Sequence, residues 1–154
     1  MTNVYLSLGS NVGHKEQNVK KAISAMRAVK SIKVLKTSHL YKTKSWGYEK
    51  QQDFINAAIK IKADLSPNKL FAILKCIEAK LGRRPQEIKW GPRVIDIDIL
   101  LYGSKILNNP RLKIPHPHMQ ERLFVLQPLA EIAPRLVHPK LKRTIKKLLK
   151  MLTC

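Results

Sequence analysis

Four aspartates occur in this chain of 154 residues, and two of them, Asp96 and Asp98, stand inside its most apolar stretch, Val94 to Leu101. Strand alternation sends Ile95, Ile97, Ile99 and Leu101 to one face and both aspartates to the other. With Cα atoms roughly 6–7 Å apart, the two carboxylates can lean toward a common point. Two anions held that close repel each other unless a positive group joins them. Hard oxygen donors of this kind suit Mg²⁺, which keeps several waters and takes its other ligands from phosphate. Asp-x-Asp by itself equally describes the polar side of an edge strand facing surface lysines. Just upstream, Lys89-Trp90-Gly91-Pro92-Arg93 sets two cations, an indole and a tight turn beside the acidic face. Arg93 reads either as a salt bridge to an aspartate or as a phosphate grip through paired donors. A mixed site fits better, because a metal on the carboxylates frees the guanidinium for phosphate.

Apolar periodicity supplies the elements that must hold these groups. Val4, Leu6 and Leu8 alternate with Tyr5 and Ser7, a strand that ends at Gly9-Ser10-Asn11. Val19, Ala22, Ile23, Met26 and Val29 follow at helical spacing, and Ile32 to Tyr41 reads as extended. A loop with Ser45-Trp46-Gly47 leads into a strand at Phe54–Ile61, with Ile55, Ala57, Ile59 and Ile61 on one face. Ser66 caps a helix with Pro67 at its first position, Leu70, Ile73, Leu74, Ile77 and Leu81 as its buried stripe, and Gly82 as its stop. Val94 to Tyr102 is a strand, and Gly103-Ser104 predicts a tight hairpin turn into Lys105–Leu107. A short helix near Glu121–Leu126 should end around Pro128. A last helix should run from Thr144 with Ile145, Leu148, Leu149 and Leu152 inward. Intermixed helices and strands with a hairpin predict an α+β sandwich on an antiparallel or mixed sheet.

The length suits one domain, residues 1–154, around one core. No apolar run is long enough to span a bilayer, and the first residues lack the pattern of a signal peptide. Cys76 and Cys154 have no ligand-like spacing, so the expected location is the cytoplasm. Thirty Lys and Arg against ten Asp and Glu give a net charge of +20, a field that attracts phosphates of any kind. A nucleic-acid-binding module is therefore the main rival reading. It is disfavoured because aromatics are few and an acidic pair marks the best candidate surface.

The motif Lys89-x-Gly91-Pro92-Arg93-x-x-Asp96-Ile97-Asp98-Ile99-Leu100 resembles the signature of the 6-hydroxymethyl-7,8-dihydropterin pyrophosphokinase family. Leu8-Gly9-Ser10-Asn11, Asp53-Phe54-Ile55-Asn56-Ala57, Ile114-Pro115-His116-Pro117 with Arg122, and Leu129-x-Glu131-Ile132-Ala133-Pro134 extend the likeness from Tyr5 to about Pro139. The resemblance implies a three-layer α/β/α sandwich with a ferredoxin-like core and a mainly antiparallel sheet. It implies pyrophosphoryl transfer from ATP to the pterin hydroxymethyl group, releasing AMP, as a step of folate biosynthesis. Asp96 and Asp98 then bind two Mg²⁺ ions, and Arg83, Arg84 and Arg93 join them as catalytic groups, the first two on a loop that closes over the substrates. Glu78, Ile99, Arg111, His116 and Arg122 fall with Arg93 on nucleotide contacts. Thr43, Trp46, Phe54, Asn56, Trp90 and Phe124 fall on the pterin pocket, with the two phenylalanines as stacking rings. Taken alone, Glu78 reads as an exposed helical carboxylate, Phe54 and Phe124 as core, and Asn56 as a strand-edge residue. Ser45, where the family usually has proline, and Pro85 depart from the pattern. The basic last helix lies outside this chemistry. The implied partners are ATP and the pterin, with coupling to dihydropteroate synthase, no membrane, no nucleic acid, and a monomeric state. No general base stands out, so metal-lowered acidity of the alcohol and positioning carry the expected chemistry. A catalytically dead relative is disfavoured by the presence of both aspartates, Arg93, His116 and Arg122.

Overall fold

A computed structural model describes residues 1–43, 53–82 and 93–154. Strand β1 (Thr2–Ser10) is followed by α1 (Lys15–Arg27), β2 (Ile32–Thr37), β3 (Tyr41–Thr43), β4 (Phe54–Ala63) and α2 (Pro67–Lys80). Then come β5 (Asp96–Tyr102), the short strands β6 (Leu107–Asn108) and β7 (Lys113–Ile114), a 3₁₀ turn at Met119–Glu121, α3 (Leu123–Ile132) and α4 (Ile145–Thr153). The main sheet has the order β2-β4-β1-β5, with β3 also on β4. All its described pairings are antiparallel. One face packs against α1 and α2 through Leu6, Leu8, Ile59, Ile61, Ile97 and Ile99. The other packs against α3 and α4 through Tyr5, Ala58, Leu100 and Leu101; Leu101, expected beside Ile95, Ile97 and Ile99, turns to this face because the β1–β5 register shifts between Tyr5 and Leu6. The expected α/β/α sandwich is thus present. Because helices cover both faces, Tyr5 and Ser7 are buried along with their apolar neighbours, although alternation placed them on the opposite side.

Two helix starts follow directly from hydroxyl caps. Ser66 Oγ accepts the Lys69 N–H and Thr144 Oγ1 accepts the Lys147 N–H. The last turn of α2 passes into Gly82 at φ 104°, a conformation that favours glycine.

Other expectations need correction. The extended run from Ile32 breaks into β2 and β3, because Ser38 turns inward and its Oγ accepts the Ala58 N–H. The turn after β5 forms, with Lys105 N–H on Tyr102 O and Gly103 at φ 54°, yet the chain beyond it does not pair back on β5. β6 pairs with β7 instead. The open edge of β5 is already claimed, by Glu78 at the Ile97 N–H and by the His116 N–H at Leu100 O. Pro128 lies inside α3 rather than ending it. A helix-interior proline costs about 3 kcal/mol. Burial of Val125, Leu126, Leu129 and Ile132 outweighs this at about 1.5–3 kcal/mol each. Leu152 was expected inward but is exposed, since α4 runs past the body it packs on.

Candidate active site

The antiparallel ladder brings the C-terminal end of β1 beside the starts of β4 and β5. Gly9 stands directly opposite Asn56 on one side and Asp96 on the other. Ser7, in the next row on that face, stands between Ala58 and Asp98. Directly opposed residues point to the same face, so Asn56, Asp96 and Asp98 share one floor. Gly9 leaves that floor open. A Cβ there would lie 2.8 Å from Asn56 Oδ1 and 3.7 Å from Phe54 Cδ1.

Both aspartates are half-buried, as alternation on β5 required. Burial first, and the charge of Asp96 next, push the Asp98 carboxyl up to about 7, with Lys75 and Arg122 working against that rise. Glu78 contributes a third negative charge. It is not the exposed helical carboxylate that its position alone suggested: it is 2% exposed, and its Oε2 accepts the Ile97 N–H at 2.7 Å. That bond sits between the two aspartates and fixes the open edge of β5. Lys75 Nζ lies 3.1 Å from Glu78 Oε1 and supplies the compensating charge. The sequence reading passed over Lys75; its spacing of three residues before a helical carboxylate was the available signal.

Arg122 caps the start of α3, and its guanidinium lies 5.7 Å from the Phe124 ring centre. Its charge acts on both Asp98 and His116. Burial first, then Arg122 and His118, hold the His116 imidazole down at about 4, so it is neutral at pH 7. His116 Nδ1 accepts the His118 N–H at 3.2 Å, which leaves the ring proton on Nε2. His116 is therefore a neutral N–H donor held beside an arginine. Asp96, Asp98, Arg122 and His116 form one electrostatic group.

On the β4 side, Asn56 is 4% exposed on a strand with neighbours on both flanks, where the strand-edge reading fails. Its Nδ2 donates to Thr43 Oγ1 at 2.8 Å, which fixes the amide orientation. Phe54 and Phe124 are half-buried, not fully enclosed core residues. Arg93 precedes β5 and is held by Asn11: its N–H donates to Asn11 Oδ1 at 2.6 Å, and the Asn11 N–H donates to Arg93 O at 3.0 Å. Ile99 puts its side chain into the main core, so what it can offer a ligand is backbone. Arg111 is exposed on the β6–β7 turn, where its N–H donates to Asn109 Oδ1. Arg83, Arg84, Trp46 and Trp90, with Ser45 and Pro85, lie outside the described residues.

An α+β sandwich thus carries a carboxylate pair at one end of its sheet, with the charge of Arg122 acting on Asp98. Residues 5–134 match the 7,8-dihydro-6-hydroxymethylpterin-pyrophosphokinase (HPPK) family. The 2-amino-4-hydroxy-6-hydroxymethyldihydropteridine pyrophosphokinase of Aquifex aeolicus is 41% identical over 146 residues, 95% of this chain and 89% of that protein. The protein of the same name from Bacillus subtilis is 44% identical over 133 residues, 86% and 79% of the two chains. The solved structure of wild-type HPPK-DHPS from Plasmodium falciparum with pteroate matches with a TM-score of 0.76 at 17% identity, over 97% of this chain and 42% of that one. That last likeness shows the fold alone, and this chain spans less than half of that longer one. The chain belongs to the HPPK family.

Proposed function

We infer that Asp96 and Asp98, presented by β5 against Arg93, Arg122 and His116, are the centre at which this chain carries out its family's reaction. That reaction is pyrophosphoryl transfer to 6-hydroxymethyl-7,8-dihydropterin in folate biosynthesis. The pterin hydroxymethyl oxygen attacks the β-phosphorus of ATP, the bond from that phosphorus to the α,β-bridging oxygen breaks, and AMP leaves. The observation that carries this reading is that Asp96 and Asp98 stand half-buried on the same face of one strand, in register with Gly9 and Asn56 at one end of the sheet. Two hard oxygen donors that resist joint ionisation suit a cation as their third party. Such a pair of carboxylates fits Mg²⁺ ions, which take their other ligands from phosphate and water. When held by Asp96 and Asp98, two such ions supply positive charge that neutralises the polyphosphate and acidifies the acceptor hydroxyl.

The remaining chemistry belongs to positioning. Arg93 and Arg122 bind phosphate oxygens, and His116 donates its Nε2–H to one of them. Because its Nδ1 is occupied, His116 is not the base. Glu78 serves the nucleotide side by holding the β5 edge, Ile99 offers backbone to the nucleotide, and Arg111 adds charge at its outer end. Asn56, oriented by Thr43, reads the polar rim of the pterin, and Phe54 and Phe124 cover its faces, with Trp46 and Trp90 completing the pocket. Arg83 and Arg84 follow α2 directly in sequence and provide the further cations that exclude water as the substrates close together.

Residues 1–154 act as one pyrophosphokinase unit, a monomer working in the cytoplasm, whose product passes to dihydropteroate synthase. No described helix is long and apolar enough to cross a membrane. The test is Asp96→Ala and Asp98→Ala, scored by AMP release with Mg²⁺, ATP and the reduced pterin. Each should lose on the order of 10²–10³-fold in kcat. Retained turnover with ordinary Mg²⁺ dependence in both would reject the assignment.

A further inference from the structure

The run Leu8-Gly9-Ser10-Asn11 has no role in the chemistry above, yet its last two residues are sealed from solvent, Ser10 at 0% and Asn11 at 1% exposure. The regular β1–β5 ladder stops at the Gly9–Asp96 rung. Continued at the same register it would set Asn11 against Val94. The contact that forms is instead one residue further on, at Arg93, and a side chain bridges the slip. Asn11 Oδ1 takes the Arg93 N–H at 2.6 Å while the Asn11 N–H reaches Arg93 O at 3.0 Å. Both backbone polar groups of Arg93 are thereby fixed, and with them the direction in which its side chain leaves the chain. The clamp is itself anchored. Asn18, on α1, donates its amide to Ser10 Oγ at 3.2 Å and to Val12 O at 3.0 Å, which ties the end of β1 to the helix.

We infer that Asn11 is a positioning residue for the transfer reaction, acting through Arg93. A valine or leucine in its place would satisfy burial equally well but would leave the Arg93 N–H without its acceptor. The arginine aims at a phosphate through a fork of donors, whose value depends on direction as much as on charge. Asn11 is thus a support for the phosphate side of the site and not a ligand. The inference rests on the reading of Arg93 as a phosphate-binding group, and the experiment separates the two.

Asn11→Ala, Arg93→Ala and the double variant are compared for kcat, for KM of ATP, and for pterin affinity by titration calorimetry. Asn11→Ala should lower kcat/KM for ATP by about 10–100-fold, the range typical of lost support around a binding group. Pterin affinity should stay within about twofold. In the Arg93→Ala background the same substitution should cost less than about threefold, because the group it aims is gone. An Asn11→Ala defect of full size in that background overturns the inference while Arg93 keeps its role. Wild-type kinetics for Arg93→Ala alone overturns both. Should Asn11→Ala fail to fold, Asn11→Asp, which keeps the Oδ1 acceptor, should hold kcat/KM for ATP within about threefold of wild type, and a loss of about 10–100-fold in that variant overturns the inference. Amide exchange gives a second readout, since the Arg93 N–H should lose protection in Asn11→Ala; unchanged protection overturns the clamp.

Discussion

Gly9→Ala should weaken pterin binding while sparing ATP. The added Cβ falls 2.8 Å from Asn56 Oδ1, and the other atoms nearest to it are Phe54 Cδ1 at 3.7 Å and Ile55 O at 3.8 Å. All three belong to β4; none belongs to β5. To reach ordinary van der Waals distance the Asn56 oxygen has to retreat by about 0.6 Å, from 2.8 to 3.4 Å. The amide is not free to do so, because its Nδ2 is bonded to Thr43 Oγ1 at 2.8 Å. The change therefore either strains that bond or turns the amide away from the ligand. A misdirected hydrogen bond of this sort costs about 1–2 kcal/mol, roughly a 5–30-fold rise in Kd for the pterin.

The ATP side should feel little, since the pairing of Gly9 with Asp96 is a backbone matter and the new methyl points to β4. Calorimetric titration of the variant with the pterin, and separately with a non-hydrolysable ATP analogue plus Mg²⁺, measures the two affinities. The expected result is a selective loss for the pterin, with nucleotide affinity within about twofold. Equal losses for both ligands would show that the glycine is needed for the sheet and not for the Asn56 amide. An unchanged pterin affinity would remove Asn56 from the pocket.

Two predictions concern stability. His138 is 3% exposed, and its Nδ1 accepts the N–H groups of Lys140 and Leu141 at 3.2 and 3.0 Å. Burial first, and Lys140 next, lower its pKa in the fold below the ordinary 6.5, so the unfolded chain binds the proton more readily. The stabilisation is therefore full above pH 6.5 and is lost as pH falls from there toward the folded value. His138→Asn keeps an acceptor for the turn, and urea unfolding between pH 5 and 7.5 should show a weaker rise of stability with pH, with His116 and, in the opposite sense, Asp98 supplying what remains; an unchanged slope would count against this. On the sheet, Lys33 stands opposite Lys62 and Lys36 opposite Lys60. Lys62→Glu turns one like-charge pair into an attractive one and should raise stability by about 0.5–1 kcal/mol, about 1–4 °C in Tm, less in high salt. A lower Tm at low ionic strength would refute the pairing argument.

What the sequence disclosed and what it hid differ by range. Alternation along Ile95–Ile99 required Asp96 and Asp98 to share a face, because side-chain period is a property of the strand itself; it fails at Leu101, where the pairing with β1 slips. Ser66 was legible as a cap, and Thr144 as the start of the last helix, for the same reason: the hydroxyl bonds a backbone group three residues away. Pro128 misled because its local cost is certain while the burial that offsets it comes from Val125, Leu126, Leu129 and Ile132 meeting the sheet. The hairpin after Gly103 failed at the partner strand, whose edge Glu78 and His116 occupy from elsewhere in the chain. Asn11 and Arg93 are 82 residues apart, and no periodicity connects them. Residues gathered by such pairings are invisible to local pattern, and in this site they include the supports of the phosphate-facing groups.

The topology gathers the proposed substrate-facing residues at one end of the sheet. β1 runs into Ser10 while its two neighbours run the other way, so the start of β4 at Phe54 and the start of β5 at Asp96 meet there. On the function proposed above, a pterin read by Asn56 and a phosphate chain held at Asp96 would stand two strand spacings apart, about 9–10 Å between backbones. The atoms that react have to meet between them, above the middle strand. That is where β1 carries Gly9, whose lack of a side chain leaves the floor open beside Asn56. The opposite face of the same strands is filled by Leu6, Leu8 and Ile59, so the bareness at Gly9 is a property of one face and not of a weak strand.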